Sequence, residues 1–205
     1  MYEKPHSRFK TVLLGNSYSG KTSLVLRYVS KKFTEINSNT IGCSFFAKVV
    51  KIKNISYGLD IWDTAGQERY RSLLPMYYRN ADIVFICIDL TENIDKSLEN
   101  INYWLSELEK YNDKMNRLVI IVGTKSDLVN TEYIETFIKF IKSNTNIDLL
   151  TTSSKLDLNI EHLFNVSLLK SIENVYQDNT NTFQLENTFI ENTNNSGLWR
   201  FCSIL

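Results

Sequence analysis

Short apolar runs alternate with longer stretches of helically spaced apolar positions from Phe9 to Tyr176. Phe9–Leu14 (FKTVLL) predicts a buried strand closed by Gly15, and Thr22–Ser30 a helix. Lys31–Gly42 is polar and irregular, and predicts a long loop. Ser44–Ile52 and Ile55–Trp62 are β-rich runs meeting at Lys53-Asn54, the pattern of a hairpin. Ile83–Leu90 and Leu118–Gly123 are continuous apolar runs, as central strands covered on both faces require. Between them Ile94, Leu98, Ile101, Leu105 and Leu108 keep helical spacing, which predicts a helix over Ile94–Tyr111. Two more amphipathic helices are expected at Glu132–Ser143 and Ile160–Tyr176, flanking a short strand at Asp148–Leu150. Strands alternating with helices imply an α/β fold with a doubly wound sheet, and the hairpin adds one antiparallel edge.

After Tyr176 the pattern breaks. Gln177–Ser196 is rich in Asn and Thr and poor in large apolar residues, which predicts a flexible tail without a core of its own. The 23 basic and 23 acidic residues cancel, so bulk attraction to nucleic acid is not expected. The three cysteines, Cys43, Cys87 and Cys202, are far apart and lack CxxC spacing, which excludes a disulfide framework or zinc site and fits a reducing compartment. The N-terminus carries no secretory apolar segment, and no apolar run approaches the ~20 residues of a spanning helix.

The densest chemistry follows the first strand. Gly15-Asn16-Ser17-Tyr18-Ser19-Gly20-Lys21-Thr22 matches G-x-x-x-x-G-K-[ST], between an apolar strand and a helix. In such a loop the backbone N–H groups and the helix N-terminus face phosphates. Lys21 supplies a point charge to the β- and γ-phosphates, and the Thr22 hydroxyl is placed for Mg²⁺. Ser17, Tyr18, Ser19 and Ser23 are expected to line the same phosphate site. The loop says nucleotide without saying which, since kinases and ATPases share it.

Trp62-Asp63-Thr64-Ala65-Gly66-Gln67-Glu68-Arg69, downstream of that loop, resembles the Ras-superfamily small GTPases and their Rab branch above all. The resemblance runs from about Phe9 to Tyr176. It implies a P-loop NTPase G domain: a doubly wound, mostly parallel six-stranded sheet with one antiparallel edge strand and helices on both faces. It divides the chain into an N-terminal extension over 1–8, the G domain over 9–176 and a hypervariable tail over 177–205. It places Asp63 on Mg²⁺ through water, gives the Gly66 N–H to the γ-phosphate, and assigns Gln67 to orient the attacking water. Thr40 in Thr40-Ile41-Gly42 resembles the first switch, where the hydroxyl joins Mg²⁺. Phe33 matches the position whose ring packs against the guanine, the alternative being an ordinary core aromatic.

Thr124-Lys125-Ser126-Asp127 resembles the guanine-reading [NT]KxD. Asp127 can accept from the base N1–H and N2 amino group, while the Lys125 stem lies along the base. Thr124 stands where most Rabs carry Asn, and a hydroxyl has fewer hydrogen-bonding arms than an amide. Thr152-Ser153-Ser154-Lys155 resembles the (T)SAK loop, with Ser154 for Ala. A backbone N–H there is expected at the guanine O6. Tyr77-Tyr78-Arg79-Asn80-Ala81, Ile88-Asp89-Leu90-Thr91 and Ile41-Gly42-Cys43-Ser44-Phe45 are similar to further Rab segments. Cys43-Ser44 and Asn80 depart from the usual residues at or near effector surfaces. Tyr18 replaces a small residue, and its ring either crowds the nucleotide or lies in solvent.

The chain ends Cys202-Ser203-Ile204-Leu205, a C-a-a-X sequence whose final Leu favours geranylgeranylation of Cys202. No polybasic second anchor accompanies it. The expectation is a monomeric, membrane-anchored switch on the cytosolic face of a membrane. It would bind GTP or GDP with Mg²⁺, hydrolyse GTP slowly, and meet effectors, an exchange factor and a GTPase-activating protein through its switch loops. A non-hydrolysing GTP-binding module, a Ras- or Rho-like signalling GTPase and a P-loop kinase or ATPase are the alternatives. Gln67 argues against the first and Thr124-Lys125-Ser126-Asp127 against the last.

Overall fold

Residues 5–35, 40–111 and 117–179 are described in a computed structural model. β1 (Ser7–Leu14) lies at the centre of a six-stranded sheet, between β3 (Ile55–Thr64) and β4 (Ile83–Asp89). The order continues outward to β2 (Cys43–Ile52) on one side, and through β5 (Leu118–Thr124) to β6 (Leu149–Thr151) on the other. Every pairing is parallel except β2 with β3. That hairpin turns on Lys53 and Asn54, both at positive φ (46° and 66°), as the tight two-residue turn demands.

The continuous apolar strands are explained by helices on both faces. Phe9, Leu13, Phe85 and Val122 point toward α1 (Lys21–Ser30) and α5 (Ile160–Asn179), where Leu24, Tyr28, Phe164 and Leu168 complete one core. Val12, Leu14, Ile86 and Ile121 point to the other face. There Leu74 and Tyr78 of α2 (Leu74–Tyr78), Ile101 and Trp104 of α3 (Ile94–Lys110), and Phe137 and Ile141 of α4 (Thr131–Thr145) cover them. Tyr28 and Phe164 stack at 3.7 Å between ring centroids and fix α1 against α5. Side chains on helix caps set two starts: the Asn93 Oδ1 accepts from the Asp95 and Lys96 amides, and the Asn130 Oδ1 from the Tyr133 amide.

Most element ends fall within one or two residues of the sequence reading, and three differences have a physical reason. β1 starts at Ser7, so Ser7 and Arg8, assigned to an N-terminal extension, pair with Tyr57 and Gly58. These polar residues carry no apolar signal, but ladder hydrogen bonds need none, and Arg8 Nε donates to Asp60 Oδ2 at 2.8 Å. α5 runs to Asn179, three residues into the expected tail, because helical bonding continues after the apolar stripe has ended. Glu68–Leu73 forms a 3₁₀ turn leading into α2, elements too short for a periodic pattern to declare. The rest of the tail lies outside the described residues.

All parallel strands end on one edge of the sheet. The chain leaves β1 toward the β2–β3 side and later returns to β4 on the opposite side. A crevice therefore opens beyond the ends of β1 and its neighbours, where open α/β sheets bind ligands.

Candidate functional site

The loop between β1 and α1 is shaped by what cannot be there. Gly15 has φ +142°, and a Cβ on it would stand 2.3 Å from the Cys87 carbonyl oxygen. A Cβ on Gly20, at φ +79°, would press on Thr124 at 3.1 Å. The loop wraps around Lys21, which is only 5% exposed. Its Nζ donates to Gly15 O (2.9 Å), Asn16 O (2.7 Å) and Ser19 Oγ (3.2 Å). Burial pushes this ammonium below its ordinary pKa, with Cys87 and Asp63 acting against the shift. A buried cation held by neutral oxygens suits an arriving anion. Ser17 sits half-buried beside it, while Tyr18 takes φ +64° and stands 73% exposed, so its ring lies in solvent.

Three residues expected at a metal are together. Thr22 Oγ1 donates to Asp63 Oδ2 at 2.7 Å and lies 2.8 Å from Thr40 Oγ1, which is 3.4 Å from the same carboxylate oxygen. Asp63 is fully buried, and its Oδ1 has no partner among the described residues. Burial raises its pKa, opposed by the Thr22 hydrogen bond, the Lys21 charge and the Thr40 hydroxyl. Two hydroxyls and a buried carboxylate with an unused oxygen form an oxygen-only donor set, the kind a hard divalent cation takes with water and phosphate.

The segment after β3 lies against the phosphate loop. A Cβ on Gly66 would come within 2.4 Å of Asn16 C and Ser17 N, so only glycine allows this approach. Next to it, Gln67 Oε1 is buried without a partner among the described residues. The Ala65 amide donates to Gly42 O at 2.8 Å, which ties this segment to the one bearing Thr40. Arg69 and Arg71 turn elsewhere, onto the rings of Tyr70 and Tyr103.

A cavity of about 230 Å³ opens on the other side of α1's first turn. It is lined by Gly20, Ser23, Phe33, Thr124, Lys125, Asp127, Ser154 and Lys155, all singled out in the sequence, and by Thr34, Glu35 and Leu128. Phe33 belongs to neither core, so its ring is a cavity wall. Asp127 is held by the buried Ser153, whose Oγ donates to Asp127 Oδ1 at 2.5 Å. Lys125 pairs with Asp89. Thr124 presents its side chain to the cavity, but its buried hydroxyl lies 3.0 Å from both Ser19 O and Ile88 O. It is thereby a tether between β5, β4 and the phosphate loop.

The sequence reading missed Arg27. From the last turn of α1 it donates to Ser154 O (Nε, 2.6 Å), Lys155 O (3.1 Å) and Lys31 O (2.9 Å). A basic residue at a helix C-terminus looks ordinary in sequence. Asp89 and Glu35 were also missed; Glu35 accepts from Lys155 Nζ at 3.1 Å across the cavity mouth. Cys202 lies outside the described residues.

A model of the Ras family matches residues 10–174. The chain is 38% identical over 156 residues to "Ras-related protein Rab5" of Nicotiana tabacum, covering 76% of each chain. It is 40% identical over 167 residues to "Putative ras-related protein Rab-5B" of Dictyostelium discoideum, covering 81% of this chain and 76% of that one. It is 36% identical over 174 residues to "GTP-binding protein ypt1" of Schizosaccharomyces pombe, covering 84% and 83%.

Proposed function

We propose, for a chain that belongs to the Ras family of small GTPases and is most like its Rab members, a membrane-associated switch that binds GTP and GDP, hydrolyses GTP slowly and serves vesicle trafficking. The single observation that carries this reading is the meeting of Thr22, Thr40 and Asp63, because it joins the phosphate loop to both switch segments.

Thr22, Thr40 and Asp63 would hold Mg²⁺, which would neutralise phosphate charge when bound. Lys21 supplies the fixed cation beside the β- and γ-phosphates. Gly66 lets its backbone approach the γ-phosphate, and Gln67 positions the attacking water. Loss of the γ-phosphate would release Thr40 and Gly66 together, because the Ala65–Gly42 hydrogen bond couples their segments. At the other end Asp127 reads the N1–H and N2 amino group of guanine, Lys125 and Phe33 cover the base, and the 153–155 loop faces O6.

Arg69 and Arg71 rest on tyrosines, which supports slow intrinsic turnover and an arginine supplied by a GTPase-activating partner. Effectors and exchange factors would meet the exposed Ile41, Phe45, Leu73 and Met76 around the switch segments. No described helix is long and apolar enough to cross a membrane. Attachment at the cytosolic face is proposed through a prenyl group on Cys202 of the C-a-a-X sequence. The deciding experiment identifies the nucleotide released from purified protein and follows hydrolysis of loaded GTP. Stoichiometric guanine nucleotide and slow conversion to GDP are expected; adenine nucleotide, or none, would refute the reading.

A further inference from the structure

Arg27 sits behind the base cavity and touches two of its walls. Its Nε donates to Ser154 O at 2.6 Å, and a second guanidinium nitrogen donates to Lys155 O at 3.1 Å. The guanidinium carbon lies 5.8 Å from the centre of the Phe33 ring, within range of a cation–π contact. A third donor reaches Lys31 O at 2.9 Å, at the start of the segment that carries Phe33.

The front of the loop shows what this clamp serves. The amides of Thr152, Ser153 and Leu156 are bonded inside the protein, to Gly123 O, Leu158 O and Ser153 Oγ. Among the described residues, the amides of Ser154 and Lys155 have no partner. Both residues line the cavity, and Ser154 is 9% exposed. Adjacent free N–H donors on a cavity wall call for an acceptor. The Lys155 N–H belongs to the same peptide group as Ser154 O, so fixing that oxygen from behind fixes the plane of the donor in front. A hydrogen bond to the carbonyl also polarises the peptide and strengthens its N–H as a donor.

We propose that Arg27 is a positioning residue for guanine recognition: it orients the Ser154–Lys155 peptide toward the carbonyl oxygen at C6 of the base and braces Phe33. This rests on the reading of the cavity as a guanine site. Arg27 does not touch the base itself. The guanidinium is suited to the task because its planar fork serves several carbonyls at once, which a lysine ammonium cannot do in one geometry.

The test compares GDP with 6-thio-GDP, in which a poorer acceptor replaces the C6 oxygen and every other base contact is kept. Affinities are measured for the native protein, Arg27→Gln and Arg27→Lys. Arg27→Gln should lose about tenfold in GDP affinity, the effect of one weakened buried hydrogen bond. It should lose much less for 6-thio-GDP, so its preference for the oxygen shrinks. Arg27→Lys, which keeps one donor near Ser154 O, should fall between. The ratio of the two affinities is insensitive to a partly unfolded sample, which scales both equally. Equal losses for both nucleotides, or undiminished GDP affinity, overturn the role of Arg27 while leaving the guanine site standing. A native protein that binds neither nucleotide overturns both.

Discussion

At the scale of single residues, Asp127 should decide the base. Ser153 donates to its Oδ1 at 2.5 Å and fixes the carboxylate at the cavity wall. Asp127→Asn turns one acceptor oxygen into an NH₂ donor. The N2 amino group of guanine would then face a donor, whereas the C2 carbonyl of xanthine would face a partner. Preference should move from GTP toward XTP by at least about tenfold, or ~1.4 kcal/mol. Competition binding checks this, and an unchanged order of preference would take Asp127 out of the base site. Cys43 lends itself to a second measurement. Burial raises its thiol pKa to about 12, with Asp63 adding to the effect and Lys10 opposing it. From the ordinary value of 9.0, that lowers the thiolate fraction near pH 8 by roughly a thousandfold. Cys43 should therefore resist iodoacetamide in the folded protein and react once it is denatured. Peptide mapping that finds Cys43 alkylated rapidly in the native state would contradict this account.

At the scale of elements, Thr124 is a joint. Its hydroxyl lies 3.0 Å from Ser19 O and Ile88 O, so β5, β4 and the phosphate loop share one small polar group. Thr124→Val keeps the shape and removes the hydroxyl hydrogen that the two carbonyls share. Stability should fall by about 1–3 kcal/mol, and nucleotide should leave faster as the loop loosens. An unaltered urea midpoint would show that the tether contributes nothing. Thr124 also marks how far the sequence could be read. Its place on the cavity wall with Lys125 and Asp127 followed from the motif, but its bond to Ser19, 105 positions earlier, did not. Strands such as Ile83–Asp89 were legible because burial on both faces leaves an unbroken apolar run. α2 was not, since five residues span barely more than one helical turn. Arg27 was hidden for another reason: its two acceptors at the cavity are backbone carbonyls more than 120 positions away, and a carbonyl carries no residue identity.

At the scale of the whole molecule, the remaining question is whether the two loops over the phosphate site act as one switch. Thr40 and Asp63 meet at Thr22, Gly66 rests on the phosphate loop, and the Ala65 amide bonds Gly42 O. Gln67 belongs to that assembly, with a buried side-chain oxygen that has no partner among the described residues. An unpaired buried acceptor is costly, and a water bound there would satisfy it, which is the arrangement an attacking water needs. Gln67→Leu keeps roughly the same volume and discards the amide. It should load GTP as the native protein does, because neither Lys21 nor the base cavity is altered. Hydrolysis should then fall at least about tenfold below a native rate expected on the order of 10⁻⁴ s⁻¹. The two loops would stay closed on GTP, and any partner selecting the closed form would be retained longer. Single-turnover hydrolysis with preloaded GTP separates this from a binding defect. Equal rates in the two proteins, with equal loading, would mean that Gln67 only packs beneath the loop and that the water is placed by another group.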